Sequence, residues 1–355
     1  MFRISHTICP SCSVGCGVNL ITENNEIIGT YPYKRHPINE GKTCLNSRTL
    51  VKELNDGVKN PLQKGSSTFV EIDNDAAVDM VKSKIDSLNS DDIAVILYGN
   101  STNEELEEIK SFANRKEITK IGVKSQNYPK IDIEPANYDD IENAENILII
   151  GNILFENPLI GRRVIIAMNN GARIITIDTE DITVTSKNSD EYIQTDNISD
   201  ALSGISKKLG ENSVIIFTKL DSKEDFEIIK DEAQKVNAKI LPVHRECNTY
   251  GALKLFDPLS DDEIEEMLEK SKIAILIGYG DLDINENVLK GIDIISISPV
   301  LTSTASKSDI ILPGKNWSQK AGSFTNSIGL EQSFNIVIND PENENIEEID
   351  LFKMF

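Results

Sequence analysis

The chain has 355 residues and a formal net charge of −22, with 58 acidic against 36 basic residues. This length suffices for two or three packed units with a large buried core. The strong negative charge argues against nucleic acid and against an anionic membrane surface as partners. The chain contains no run of about 18 uncharged apolar residues, so the sequence predicts no insertion into a membrane.

The N-terminal segment concentrates the chain's metal-binding potential. Four of the five cysteines lie in the first 44 residues with the spacing C-x2-C-x3-C-x27-C: Cys9, Cys12, Cys16 and Cys44. Soft thiolates suit a [4Fe–4S] cluster or tetrahedral zinc. Zinc ligands usually come as two short pairs, whereas here three ligands share one loop, which favours the cluster. The spacing alone leaves zinc, or cysteines without a shared role, as alternatives.

The remaining pattern predicts an α/β protein. A strand is predicted over 26–33 after a turn at Asn24 and Asn25, and a short helix over 49–55. From Asp75 onward helices and strands alternate. Helices are predicted over 76–88, 103–114, 161–171 and 198–210, and strands over 93–100, 145–153, 173–179, 212–219, 238–243, 273–280 and 293–299.

The strands are runs rich in Ile and Val between amphipathic helices, which is typical of parallel sheets covered on both faces. We therefore expect two doubly wound, Rossmann-like α/β units behind a small N-terminal cluster domain. The expected cluster domain is 1–58 and the α/β region is 59–355. Within that region we expect one unit from 75–140 plus 215–290, and a second from 141–210 plus 291–335.

Parallel sheets bind ligands at the carboxyl ends of their strands. Four residues at predicted strand ends are therefore candidates for cofactor binding: Asn100, Gly151, Asp178 and Gly278. Cys247 lies outside the N-terminal motif, and we expect it to be a structural cysteine.

The cysteine segment CPSCSVGCGVNLI, followed by HPINEGKTC, resembles the N-terminal domain of the molybdopterin oxidoreductases, most closely the catalytic alpha subunit of formate dehydrogenases. Later segments resemble the same family in the same order, among them NAENILIIGN, NTYGALKL and SPVLTSTASKSDIILPGKNWSQKAGSFTN. The resemblance implies one [4Fe–4S] cluster on the four N-terminal cysteines, beside a pterin. It also adds Asn248 to the candidate cofactor-binding residues.

Four departures from the family pattern concern the pterin side. The chain is expected to be truncated before the family's C-terminal dinucleotide-binding domain. The segment 121–144, where relatives carry the molybdenum or tungsten ligand, has no Cys, His or Met, and Ser125 is the only substitute by position. Asn46 stands where relatives have a lysine, with Arg48 as a partial replacement. Carboxylates at Glu180 and Asp181 follow the strand end where relatives have Pro-Arg.

These departures favour an oxidoreductase subunit that relays electrons through the cluster in a larger complex, with other iron–sulfur or pterin-binding chains as partners. The first alternative is a catalytic molybdenum or tungsten–pterin subunit, of formate or formylmethanofuran dehydrogenase type, completed by a separate pterin-binding chain. The second alternative is a binding protein without redox function, in which the four cysteines hold a structural zinc ion. Whether the chain is itself an enzyme is left open. Cluster thiols and a start without an apolar targeting region lead us to expect a cytoplasmic location.

Overall fold

The computed structural model describes residues 2–55, 57–66, 68–339 and 346–355. For residues 51–55 it describes the backbone only. Its N-terminal unit is a three-stranded antiparallel sheet followed by a helix: β1 (Arg3–Ile8), β2 (Gly17–Glu23), β3 (Glu26–Pro32) and α1 (Leu45–Asn55). The predicted turn between β2 and β3 is confirmed, because Asn24 and Asn25 adopt φ of 49° and 68°. Asparagine tolerates this left-handed region better than most residues do.

The next elements start the larger of two α/β sheets: β4 (Leu62–Lys64), β5 (Phe69–Glu71), α2 (Asn74–Asp86), β6 (Ile93–Leu97), α3 (Asn103–Arg115) and β7 (Ile121–Lys124). Helix α3 begins at a capping box in which Thr102 accepts from the Glu105 N–H and Glu105 accepts from the Thr102 N–H. Its apolar residues Leu106, Ile109 and Phe112 are buried against the sheet.

A second sheet is formed by one continuous stretch of chain: α4 (Tyr138–Glu142), β8 (Asn146–Ile150), α5 (Ile153–Glu156), α6 (Pro158–Asn169), β9 (Arg173–Asp178), β10 (Glu191–Gln194), α7 (Ile198–Leu202), β11 (Ser213–Phe217), α8 (Lys223–Val236) and β12 (Lys239–Pro242). Its five strands are all parallel, in the order β10-β9-β8-β11-β12.

The chain then returns to the first sheet: α9 (Thr249–Leu255), β13 (Asp257–Leu259), α10 (Asp261–Glu269), β14 (Ile273–Ile277), β15 (Asp293–Ile297), β16 (Ile310–Leu312), β17 (Gly322–Thr325), β18 (Glu331–Phe334) and α11 (Glu348–Met354). The first sheet has eight strands in the order β13-β7-β6-β14-β15-β16-β4-β5. Its first six strands are parallel, and β4 and β5 extend it antiparallel. Strands β17 and β18 form a separate hairpin.

The predicted α/β class, with a small N-terminal domain and two parallel sheets, is confirmed. The strand pairing differs from the expected division of the chain. Strand β11 pairs with β8, and β12 pairs with β11, so residues 213–242 belong with 146–194 and not with the first unit. Strand β15 pairs with β14, and β16 pairs with β15, so both lie in the first sheet. Similar Ile and Val runs can pair equally well in either sheet, so the pattern does not determine the partner.

The helix predicted over 198–210 is also shorter than expected. It ends at Leu202, and Gly204 adopts a left-handed φ of 77° before a short 3-10 turn. In the described part of the chain, no helix is long and apolar enough to cross a membrane.

Candidate functional site

The four N-terminal cysteines line one small cavity at the edge of the three-stranded sheet. Cys9 is buried, and Cys12, Cys16 and Cys44 are partly buried. All five cysteines are free thiols, so none of the four is used in a disulfide. The fifth, Cys247, is buried in the same hydrophobic cluster as Cys9 and does not line this cavity within the described chain. The structure therefore brings together the four thiols that the spacing predicts as ligands.

Backbone geometry wraps the loop around this cavity. The Cys9 N–H donates to the Cys16 carbonyl at 2.8 Å and closes the loop. Gly15 adopts a left-handed φ of 77°, and a Cβ there would lie 2.1 Å from Gln332 Oε1. The Gly17 N–H donates to Asn39 Oδ1 at 2.9 Å. Glycine is needed at position 15 because it removes both the strain and the clash.

Distant elements also hold the cysteine loop. Tyr138 donates its hydroxyl hydrogen to the Val14 carbonyl at 2.8 Å, which ties the loop to α4 of the second sheet. The Ser327 N–H donates to the Ser13 carbonyl at 2.8 Å, which ties it to the turn between β17 and β18. The three units thus meet at the cysteines, and contacts within the protein itself hold the loop that carries the thiols.

Electrostatics at the cysteines favour a positively charged occupant. Burial, together with the neighbouring Cys9 thiolate, raises the pKa of Cys12 to about 12. Burial and the other three cysteines also raise the pKa of Cys16, while Arg163 lowers it. Four thiolates would repel one another here unless cationic iron bound them.

The four thiols provide a donor set that suits a [4Fe–4S] cluster. The described residues contain no group of three or more His, Cys, Asp or Glu side chains arranged to hold one metal ion. A [4Fe–4S] cluster gives each of four thiolates its own iron, so its ligands surround a cavity. The donor set and its burial therefore fit a [4Fe–4S] cluster.

A larger cavity of about 430 Å³ adjoins the cysteine loop. Ser11, between the first two cysteines, lines both cavities. We call the larger one the main cavity. Its other walls come from the carboxyl ends of four first-sheet strands and from neighbouring loops, and its lining includes Tyr98, Asn100, Ser125, Gln126, Tyr279, Gly280, Pro299, Val300, Asn46, Arg245, Glu246 and Trp317. Its position follows the rule for ligand sites in parallel sheets.

The main cavity carries charges of both signs. Lys124 and Arg245 supply the cations, and Glu246 and Asp281 supply the anions. The Arg245 side chain is 78% exposed, and its Nε lies 4.0 Å from Glu246 Oε1. Burial, only partly offset by Arg245, raises the pKa of Glu246 to about 6. These groups can bind a polar, partly anionic ligand.

Three of the five candidate cofactor-binding residues lie at this edge of the first sheet. Asn100 lines the main cavity, and its Nδ2 donates to the Tyr279 carbonyl at 2.6 Å. Gly278 packs on it, since a Cβ there would lie 2.0 Å from Asn100 Oδ1. Asn248 is fully buried one layer deeper, where its Nδ2 donates to the Ser101 carbonyl at 2.7 Å. Its amide thus connects loops behind the cavity.

The other two candidate residues, Gly151 and Asp178, lie at the second sheet and apart from the main cavity. Gly151 follows β8 and Asp178 is the last residue of β9, and the described lining of the main cavity contains neither. Asp178 is fully buried, and Lys219 Nζ lies 2.6 Å from its Oδ1. The physical reason is the strand pairing, because the two sheets have separate carboxyl edges. Their role in cofactor binding stays a prediction.

The structure also reveals residues that sequence reasoning missed. Trp317, the chain's only tryptophan, lines the main cavity although it lies 217 positions after Asn100. Glu246 lines it as well, beside Cys247 in sequence. Neither residue stands at a predicted strand end, so no local pattern marked it. The resemblance did contain the segment around Trp317, and that was the one available signal.

Comparisons with known proteins agree with this geometry. The family model described as "Molybdopterin oxidoreductase Fe4S4 domain" matches residues 2–56. The family model described as "Molybdopterin oxidoreductase" matches residues 205–354. The chain belongs to the molybdopterin oxidoreductases. The matched domains support a [4Fe–4S] cluster and molybdopterin as cofactors, although the departures noted above argued against the second.

The chain is homologous over most of its length to alpha subunits of F420-dependent formate dehydrogenases. It is 26% identical to the F420-dependent formate dehydrogenase subunit alpha of Methanocaldococcus jannaschii, covering 96% of this chain and 68% of that protein. Identity to the F420-dependent formate dehydrogenase 1 subunit alpha of Methanococcus maripaludis is 24%, over 95% of this chain and 67% of the relative.

Solved structures share the fold. The acetylene hydratase from Pelobacter acetylenicus matches with a TM-score of 0.69 and 14% identity, over 99% of this chain and 68% of that chain. The formyltransferase/hydrolase complex FhcABCD from Methylorubrum extorquens matches with a TM-score of 0.56 and 12% identity, over 83% of this chain and 97% of that chain.

Proposed function

We propose that the protein is a formate-dehydrogenase-like iron–sulfur subunit that relays electrons through one [4Fe–4S] cluster in a larger redox complex. The proposed ligands are Cys9, Cys12, Cys16 and Cys44. The observation that best supports this proposal is that the two cavities share a wall. Ser11 lines both the cysteine cavity and the main cavity. A redox group in the main cavity would therefore lie next to the cluster.

The protein's own residues suit this role. A [4Fe–4S] cluster, when bound, supplies a one-electron carrier whose potential depends on charge, hydrogen bonds and burial. Arg163 has a side chain only 5% exposed, and its Nη2 donates to the Ile38 carbonyl at 2.8 Å. Its charge lowers the pKa of Cys16 and so favours the thiolate that iron requires.

The main cavity is the proposed position for molybdopterin. Asn100 and the backbone of Tyr279 offer hydrogen bonds there, and Lys124 and Arg245 offer positive charge for phosphate. When bound, molybdopterin carries the molybdenum or tungsten on which this family's redox chemistry depends. Gly151 and Asp178 are proposed as a separate cofactor contact at the second sheet.

Two residues of the main cavity favour electron relay over direct substrate chemistry. Ser125 stands where relatives provide a metal ligand, and its hydroxyl donates to the Tyr128 carbonyl at 3.2 Å. A hydroxyl is a poor ligand for a soft metal site compared with a thiolate. Asn46 lines the cavity without the charge of the lysine that relatives carry there.

The second candidate function is a catalytic formate or formylmethanofuran dehydrogenase subunit, completed by a separate pterin-binding chain. Lys124 and Arg245 in the main cavity favour it, because a small carboxylate substrate needs such cations. The names of the similar alpha subunits also point to formate. Both candidates imply partner subunits that exchange electrons with the cluster.

Metal analysis of anaerobically purified protein, combined with a formate assay, tests both proposals. We expect about four iron and four sulfide per chain, a paramagnetic signal after reduction, and no reduction of a viologen dye by formate with this chain alone. Stoichiometric zinc without iron would overturn the cluster. Stoichiometric molybdenum or tungsten with formate oxidation by the chain alone would replace the relay with the catalytic function. Activity that requires a second chain would favour the split catalytic enzyme.

A further inference from the structure

Three buried ionisable side chains meet behind the main cavity. Glu105 in α3, Lys320 just before β17 and Glu348 at the start of α11 are 2%, 5% and 3% exposed. Lys320 Nζ lies 2.5 Å from Glu105 Oε1 and 3.3 Å from both oxygens of Glu348. We call these residues the buried triad.

The buried triad contains one carboxyl group too many. Two carboxylates and one ammonium would leave an uncompensated negative charge away from water, which is costly. Attraction by Glu105 and Glu348 outweighs the effect of burial and raises the pKa of Lys320, so the cation persists. One of the two carboxyl groups must therefore hold a proton.

Geometry identifies Glu348 as the protonated partner. Glu105 has the short contact to Lys320, and its Oε2 also accepts from the Thr102 N–H at 2.7 Å. Those donors stabilise its carboxylate, and although burial opposes them, the pKa of Glu105 is lowered. Glu348 has the longer contacts to Lys320 and shares a hydrogen bond with Glu105, which favours a proton on Glu348 and the carboxylate on Glu105. Burial, reinforced by the Glu105 charge, raises the pKa of Glu348 to about 8.

A small cavity, which we call the passage, lies between the buried triad and the main cavity and shares lining residues with the latter. Lys320 and Glu348 line its inner end, and its volume of about 10 Å³ is close to the room that one water molecule needs. Asn100, Tyr279, Pro299 and Trp317 line both the passage and the main cavity. Lys315 also lines the passage, and its ammonium pairs with Glu347 at 3.1 Å.

We propose that Glu348 is a proton-exchange residue for the group that occupies the main cavity. The O–H bond of the Glu348 carboxyl breaks, and its proton passes through a water in the passage to a basic atom of the occupant. Lys320 then holds the resulting carboxylate, and the reverse transfer restores the acid. No electron moves in this step. This inference rests on the proposed function in one respect, the identity of the occupant. The occupant is taken to be a redox group that becomes more basic when it is reduced.

Infrared titration of the carboxyl C=O band in the purified full-length protein tests the assignment without needing any loaded cofactor. At pH 7 we expect a protonated-carboxyl band that disappears around pH 8. The band should be absent in Glu348→Gln. It should be present in the control Glu347→Gln, because the Glu347 carboxylate of the wild type pairs with Lys315 and lies outside the buried triad. Glu246→Gln should also retain it, because Glu246 titrates near pH 6. Absence of the band at pH 7, or its persistence in Glu348→Gln, would overturn the proposal.

Transfer of the wild-type protein to D2O tests the connection to the cavity and needs no variant to fold. Exchange through the passage should shift the band within seconds, long before global unfolding. A band that shifts only when the protein unfolds would show an isolated acid and would overturn proton exchange with the cavity. Both measurements are independent of the iron content, so failure of the cluster assignment would leave their outcome readable.

Discussion

The side-chain amide of Gln332 donates a hydrogen bond of 3.0 Å to the carbonyl of Gly15, a residue 317 positions earlier in the chain. The hairpin of β17 and β18 therefore holds the loop that carries Cys12 and Cys16. A cluster site on a short loop near the start of the chain thus depends on the packing of a distant segment.

Replacing Gly15 by alanine should loosen this contact. Its left-handed φ and the clash with Gln332 together should lower the free energy of unfolding by about 1–3 kcal/mol and reduce cluster retention. Chemical denaturation and iron analysis measure the two effects. Gly291→Ala is the matched control, since Gly291 has a φ of 88° but no atom within 4 Å of an added Cβ. An equal loss of iron in both variants would contradict the role of the contact.

Serine substitution at Cys9, Cys12, Cys16 or Cys44 should remove or destabilise the cluster, because a hydroxyl binds iron less well than a thiolate. Cys247→Ser should retain the cluster although it is buried in the same hydrophobic cluster as Cys9. Iron and sulfide stoichiometry, with paramagnetic resonance after reduction, provides the measurement. Loss of iron in Cys247→Ser at unchanged thermal stability would make Cys247 a fifth functional cysteine.

Asn46→Lys should raise the midpoint potential of the cluster. Asn46 lies two positions after Cys44 and lines the main cavity, so a cation there would stabilise the reduced cluster. A screened interaction of about 1 kcal/mol corresponds to about 40 mV for one electron. Redox titration followed by paramagnetic resonance measures the shift, and Asn46→Gln is the neutral control. An equal midpoint potential in Asn46→Lys and Asn46→Gln would mean that the side chain at position 46 is too far from the cluster to affect it.

Stability should fall as pH rises from about 7 to 8, because Glu348 keeps its proton in the folded protein while the unfolded chain releases it near pH 4.5. The slope is at most about 1.4 kcal/mol per pH unit for one group. The lowered pKa values of His36 and His244 act in the opposite direction near pH 6.5, because the unfolded chain binds protons there that the folded protein does not, and the raised pKa of Glu246, about 6, acts mainly below this window.

Urea denaturation at several pH values measures this slope. Glu348→Gln should be flatter than the wild type over the same window, since glutamine resembles the protonated acid. The control Glu347→Gln should keep the wild-type slope. Parallel slopes in wild type and Glu348→Gln would mean that Glu348 is already ionised at about pH 7.

Local patterns in the sequence were enough to single out the four cysteines that line one cavity, the α/β class and most of the long strands. Cysteine spacing and apolar runs act over a few residues, so they can be read without the fold. Short strands were harder to see. Strands β7 and β13 have four and three residues and lay in segments without an alternating pattern.

Only the tertiary structure decided which strands pair and which side chains meet. Strand β11 pairs with β8, in a sheet that one continuous stretch of the chain forms. Its Ile and Val content would suit either sheet. Gly151 and Asp178 were consequently separated from Asn100. The buried triad joins Lys320 to Glu105 across 215 positions and to Glu348 across 28. Contacts at such separations depend on how whole units pack, and no spacing along the chain encodes them.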